Sequence, residues 1–232
     1  MLPVLGRRAL SELVGTGGLV CAVIGSGIAA ERLSPGDVGL QLLENSIATA
    51  MALVALILSL GSVSGAHMNP VVTGVEWARR QMSGKEAAVY MGAQLVGGIA
   101  GAFVANAMFE LPAIQTASHV RSGAHLWLGE VVATIGLLVT IHGTAATNAR
   151  AIPLAVGCYI GAAYWFTSST SFANPAVTVA RIFSDTFAGI APSSAPGFVI
   201  AQVLGALVGS AVLVALLPGW RCPAKAEAGK AS

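Results

Sequence analysis

Two Asn-Pro pairs carry the most specific chemical signal in this sequence: Asn69-Pro70-Val71-Val-Thr73 and Asn174-Pro175-Ala176-Val-Thr178. Asparagine is a preferred helix N-cap, and proline at the first helical position gives up an amide that had no partner anyway. Each pair therefore reads as the start of a short helix, near 69–80 and 174–185. A helix of about 11 residues rises roughly 16 Å, around half of a ~30 Å hydrocarbon core. Two half-helices entering from opposite faces meet N-terminus to N-terminus, each end carrying about half a positive charge. The point between them is hostile to cations, and its two side-chain amides can donate to a passing oxygen. This chemistry passes neutral hydroxyl compounds while disfavouring protons and metal ions. A lone Asn-Pro would read as a capped surface helix; two in matched positions, each followed by Val/Ala-Val-Thr, weigh against that.

The surrounding chain is suited to a bilayer. Of 232 residues, 55% are hydrophobic and only 9% charged, against about a quarter charged in a soluble domain. Apolar runs place spans near 9–30, 38–60, 86–108, 126–146, 151–167 and 196–217, with Pro35-Gly36, Pro112, Pro192 and Pro196 among the breaks. The first run follows Arg7 and Arg8, as a signal peptide would, but it is longer than a typical signal core and contains Glu12, so it reads as a retained helix. With six spans and the N-terminus inside, Arg7, Arg8, Arg79, Arg80, Lys85, Arg150, Arg221, Lys225 and Lys230 fall on the cytoplasmic side. Arg32, Arg121 and Arg181 fall outside. That asymmetry obeys the positive-inside rule and puts both termini in the cytoplasm, in a multi-pass protein of the inner (plasma) membrane.

The two halves resemble each other. Glu12-Leu-Val-Gly-Thr16 answers Glu130-Val-Val-Ala-Thr134, and Ala93-Gln94-Leu-Val-Gly97 answers Ala201-Gln202-Val-Leu-Gly205. With the Asn-Pro blocks these define repeats 9–108 and 126–217 of one channel domain, with 218–232 as a cytoplasmic tail. Three spans per half force the second copy to insert upside down. Such repeats place a site at the midplane, formed by broken helices. Glu12 and Glu130 lie inside apolar spans, where a carboxylate is costly. Two symmetric copies suit scaffolding better than a proton relay, and Glu44 reads as a helix-end residue. Gly97 with Gly101 and Gly205 with Gly209 have the spacing that allows close helix contact.

Several classes are excluded. Cys21, Cys158 and Cys222 are odd in number and scattered, which suggests neither a disulfide framework nor a metal site. A net charge of +2 is too small to suggest nucleic acid. No zinc-ligand pair, Ser-His dyad or aspartate pair appears in the spans, so no enzyme and no cofactor is expected. An ion- or proton-coupled carrier and an anion-permeable pore remain as rival functions. A carrier needs a titratable group near the midplane, where the loops offer Asn, Ser, Thr and Val.

Ser64-Gly-Ala-His67-Met-Asn69-Pro70 and Ser171-Phe-Ala-Asn174-Pro175-Ala176 resemble the paired NPA loops of the major intrinsic proteins, the aquaporins and aquaglyceroporins. The first box departs from the pattern at Val71, where alanine is usual. The resemblance covers almost the whole chain. It implies an all-α membrane protein with six transmembrane helices and two re-entrant half-helices in an inverted repeat, assembled as a homotetramer. It implies that Glu12 and Glu130 hold the loops, and that His67 stands at the cytoplasmic mouth, where structural and gating roles are both open. His125 and His142 read as ordinary helix residues.

The family narrows at a ring of four positions that usually includes an aromatic and an arginine. Counted at family spacing, the ring here is Thr49, Ala162, Ser171 and Val177, with Val177 where the arginine is usual. Arg181, four residues further on, is expected to point elsewhere. A ring without a guanidinium is wide and lacks fixed charge. It should admit larger polyols, select poorly for water, and leave cation exclusion to the half-helix dipoles. Tyr164-Trp165-Phe166 is a competing source of narrowing. The stretch from Ala163 to Arg181 is similar to a bacterial aquaglyceroporin subgroup associated with arsenic resistance, which adds metalloid hydroxides and organoarsenicals to water and polyols as candidate solutes. The implied partners are the lipid bilayer and small neutral solutes.

Overall fold

A computed structural model describes residues 3–220, all helix and connection with no strand among them. The long helices are α1 (Val4–Leu33), α2 (Val38–Ser64), α4 (Gly84–Met108), α5 (Ala124–Asn148), α6 (Ile152–Phe166) and α8 (Ala195–Leu216); α3 (Pro70–Ala78) and α7 (Pro175–Ala180) are the short ones. The six predicted spans and both short segments are thus present, with helix ends shifted by a few residues. Residues 221–232, which contain Arg221, Cys222, Lys225, Lys230 and most of the expected tail, lie outside the described residues.

Local chemistry explains the boundaries. Asp37 caps α2 through the amide of Leu40, and Ser83 with Glu86 closes a capping box on α4. Gly65 ends α2 in the left-handed conformation at φ 87°. Five helical stretches are long and apolar enough to cross a membrane, and one of them, Ala124–Phe166, contains both α5 and α6. A single 3-10 turn, Ala149–Ala151, joins that pair, with the Asn148 side chain capping it through the amide of Arg150. Both short helices fall below the expected 11 residues. α3 has 9 residues, and α7 has 6 before a 3-10 turn at Arg181–Phe183 and extended Ser184.

The long helices pack as two similar groups, with α1 on α4 and α5 on α8, and α2 lies against α6. The predicted glycines make these crossings close. A β-carbon on Gly101 would strike the carbonyl oxygen of Gly17, and one on Gly97 the carbonyl oxygen of Leu13. In the other half a β-carbon on Gly205 would lie 2.8 Å from the carbonyl oxygen of Val131. With no hydrophobic drive between helices in lipid, such backbone approach is a main source of association.

The connection between α4 and α5 packs over the segment following α7. Ala117 donates to the carbonyl of Ile182 at 2.8 Å, and Ala191 to that of His119 at 2.8 Å. The amide and hydroxyl of Ser118 both donate to Asp185, holding that carboxyl below the usual carboxylate range.

Because the Gly101 contact is with rigid backbone, Gly101→Val should force α1 from α4 and destabilise the protein by about 2 kcal/mol or more. The expected outcome is a lowered thermal midpoint in detergent, while Gly92→Val, whose β-carbon meets nothing within 4 Å, leaves it nearly unchanged.

Candidate functional site

The two Asn-Pro pairs meet. The Asn69 side-chain amide donates to the carbonyl of Ala173 at 2.8 Å, and that of Asn174 donates to the carbonyl of Met68 at 2.7 Å. Each asparagine also caps its own helix. Asn69 Oδ1 accepts from Val71 at 3.0 Å; Asn174 Oδ1 accepts from Ala176 at 3.0 Å and Val177 at 3.3 Å. The N-termini of α3 and α7 therefore face each other, joined by reciprocal bonds. Pro70 and Pro175 occupy the first helical turns, and Val71 is buried in the place of the usual alanine.

A cavity of about 180 Å³ runs past this junction. At the α3 side it is lined by His67 and Glu76, at the junction by Asn69 and Asn174, and at the α7 side by Thr49, Tyr164, Ser171, Val177 and Arg181. Aliphatic side chains such as Leu53, Leu137, Val156 and Ile160 make the remaining wall. The His67 Nδ1 atom lies 3.1 Å from the Thr73 hydroxyl. Glu76 accepts from Arg79 at 2.8 Å, and His142 stands 3.6 Å from the same oxygen. The expectation that His142 is an ordinary helix residue thus misses its place in this buried polar cluster.

Two expectations require correction. Ala162 does not line the cavity; it is an exposed residue on α6. Two residues later, about 200° around the helix, Tyr164 faces inward, and its hydroxyl lies 3.1 Å from that of Thr49. Trp165 and Phe166 are exposed, so Tyr164 is the member of the aromatic cluster that lines the cavity. Arg181 does not point away. Residues four apart share a helix face, and side chains lean toward the helix N-terminus, so a residue one turn beyond Val177 reaches back over it. Thr49, Ser171 and Val177 do line the cavity, but Tyr164 and Arg181 line it with them, so the lining is not free of charge.

The loops that present this lining are held in an unusual conformation. Counting back from each asparagine, positions four, three and one have positive φ in both halves: Gly65 87°, Ala66 48° and Met68 46°; Thr170 62°, Ser171 51° and Ala173 46°. For a residue with a β-carbon this costs on the order of 1–3 kcal/mol. Two fully buried glutamates hold it in place. Glu12 accepts from the amides of His67 at 3.0 Å and Met68 at 2.6 Å, from Ser64 Oγ at 2.7 Å, and from Gln94 at 2.7 Å. Glu130 accepts from the amides of Phe172 at 2.9 Å and Ala173 at 2.8 Å, and from Gln202 at 2.6 Å. Each glutamine extends the network to a threonine of its half-helix, Thr73 at 3.0 Å or Thr178 at 2.8 Å. Gln94 and Gln202 were visible as paired positions of the repeat, although only packing reveals their contact. Glu44 accepts from Ser34 at 2.9 Å near the start of α2, in keeping with a helix-end role.

Glu130→Ala leaves the buried amides of Phe172 and Ala173 without their acceptor and removes one of the two acceptors of Gln202, and should cost about 3 kcal/mol or more. The expected outcome is a large loss of thermal midpoint in detergent together with lost solute flux, whereas Glu44→Ala changes both little.

Comparison with known proteins agrees with this geometry. The Major intrinsic protein family profile matches residues 3–171 and 149–231. The aquaglyceroporin AqpS of Rhizobium meliloti (strain 1021) is 48% identical over 213 residues, covering 92% of this chain and 91% of that protein. The aquaporin AqpM of Methanothermobacter marburgensis is 31% identical over 242 residues, covering 91% and 96%. The X-ray structure of the aquaglyceroporin from Plasmodium falciparum superposes with a TM-score of 0.72 at 19% identity, over 94% of this chain and 98% of that one, which shows the shared fold. The chain belongs to the major intrinsic protein family: it is a membrane channel and not an enzyme.

Proposed function

We propose that this channel is a passive pore for small uncharged hydroxylated solutes, glycerol and water among them. The observation that carries the reading is the cavity centred on Asn69 and Asn174. One side offers amide, hydroxyl and guanidinium hydrogen-bond donors, and the other is aliphatic. A hydroxylated carbon chain can bond along one wall while its carbon backbone slides on the other. Glu12 and Glu130 stand behind the loops with their oxygens occupied by amide, amide-side-chain and hydroxyl donors. Neither of these two carboxylates is therefore free to bind a coupling ion, which weighs against the coupled-carrier reading.

The correction at Tyr164 and Arg181 also changes the expected size limit. A lining that includes a phenol and a guanidinium suits solutes of glycerol size better than longer polyols. Metalloid hydroxides and small organoarsenicals remain candidates on size and hydroxyl count, supported by the resemblance to the arsenic-associated subgroup. AqpS, described as an aquaglyceroporin, supports the polyol class. The exposed apolar side chains of α2, α4 and α8 suit contact with lipid. A homotetramer in the inner membrane, with both termini cytoplasmic, is the arrangement that the family resemblance and the distribution of basic residues support.

In proteoliposomes under a glycerol gradient, stopped-flow light scattering should show re-swelling faster than in empty liposomes and unchanged by a protonophore. A protonophore-sensitive flux, or one that saturates with coupled ion movement, means a carrier instead. Val177→Arg, which adds a second guanidinium one turn below Arg181, should slow flux of glycerol and methylated arsenicals about tenfold while water passes more nearly as before. Equal permeation by wild type and variant refutes a filter at Val177.

A further inference from the structure

Arg181 is 3% exposed, yet it lines the cavity just beyond the C-terminal end of α7. Its guanidinium carbon lies 3.5 Å from the centroid of the Phe172 ring, stacked where a planar cation meets the negative face of the ring. Its Nε donates to the carbonyl of Ala188. The segment carrying that carbonyl is itself clamped. Arg121 donates to Gly189 and Phe187, both at 2.9 Å, and Phe187 donates to Glu31 at 2.9 Å. The guanidinium is thus fixed along one edge and one face.

The rest of the group is free. A guanidinium carries five N–H donors, and Ala188 takes one of them. Among the described residues nothing accepts from the two Nη nitrogens, and neither is among the buried polar atoms sealed from solvent without a partner. With the residue otherwise enclosed, they open on the cavity. No described carboxylate pairs with Arg181, since the ion pairs are Arg8–Glu86, Arg79–Glu76 and His142–Glu76. Arg121 provides the contrast. It stands 5.5 Å from the centroid of the same Phe172 ring but does not line the cavity, and its guanidinium is taken up by loop carbonyls.

We propose that Arg181 is the charged element of the pore's selectivity filter: reaching back from one turn beyond Val177, it donates to the oxygens of a passing hydroxylated solute and excludes cations by its charge. The proposal rests on the passive-pore reading. A full positive charge on the wall exceeds the roughly half charge at each half-helix end, and it acts where surrounding protein limits screening. The hydroxyl pair of Tyr164 and Thr49 lines the same part of the cavity. Together these groups form a donor-rich stretch of the cavity wall.

The test uses full-length protein in proteoliposomes, with glycerol re-swelling and dye-reported sodium uptake measured on the same preparations. Arg181→Gln, which loses the charge and the Nη donors, should still conduct glycerol but at an altered rate, and should raise sodium permeability by about a hundredfold, as expected for loss of a unit charge a few ångströms from the path. Arg181→Lys, which keeps the charge, should stay close to wild type in sodium exclusion. An Arg181→Gln protein that passes glycerol and excludes sodium as wild type does overturns the proposal and leaves the pore reading intact. Absence of glycerol flux in the wild type overturns the pore reading instead. Equal loss of glycerol flux in the Lys and Gln variants, with no sodium leak in either, means a structural brace and also overturns the proposal. If Arg181→Gln does not fold, Phe172→Leu removes the stacking ring and keeps the arginine. It should leak sodium about tenfold faster, and a glycerol-conducting variant as tight as wild type counts against the filter role. Chloride conductance in the wild type overturns the restriction to neutral solutes.

Discussion

The rest of the channel depends on the bond between a buried carboxylate and the two loop amides just before each asparagine. Lipid offers no partner to an exposed peptide group, so irregular backbone at membrane depth survives only where protein satisfies it. Here the loops leave helix geometry for several residues and adopt positive φ at alanine, methionine, serine and threonine, which disfavour it. Glu12 and Glu130 make that conformation tenable. Each accepts from two consecutive amides and is held in turn by a glutamine from the neighbouring helix. The carboxylate is costly to bury without such donors, and the loop is strained without the carboxylate. Neither is stable alone, which ties α1 and α5 to the pore lining.

The asparagines complete the construction. Each side chain caps its own half-helix through its oxygen and reaches across to the opposite loop through its nitrogen. The junction is therefore cross-linked at its centre, and the two half-helices can be short. Close approach of α1 to α4 and α5 to α8, which requires glycine at the crossings, brings the glutamate of one helix and the glutamine of the other onto the same loop.

The two halves share this scaffold and differ in what they present to the cavity. The position two before the asparagine is His67 in the first half and Phe172 in the second. The first half turns the imidazole toward Thr73 and adds Glu76 to the lining; the second uses the phenyl ring as the platform under Arg181. A symmetric frame thus carries an asymmetric pore. One side of the junction has an acid and an imidazole, and the other has a cation, a phenol and hydroxyls.

Much of this was legible in the sequence because the signals were local or repeated. Apolar runs of bilayer length, Asn-Pro caps, a glutamate in the first helix of each half and glycines at fixed spacing each have one dominant physical reading. Their repetition removed most of the alternatives. Counting along the loops and α2 leads to Thr49, Ser171 and Val177, which border the cavity. The misplaced residues failed for geometric reasons. At about 100° per residue, a two-residue error in register on α6 turns Ala162 outward and Tyr164 inward. Distance along the chain suggests that Arg181 points away from the pore, but a four-residue step keeps the helix face and a long side chain leans back toward the N-terminus. The sequence by itself determined the membrane class, the six spans and the paired half-helices, because those follow from hydropathy, capping and repetition along the chain. Which side chains meet in the cavity, and that a guanidinium is among them, only the tertiary structure decided, since that depends on helix rotation and on a ring and a carbonyl supplied by segments distant in the fold.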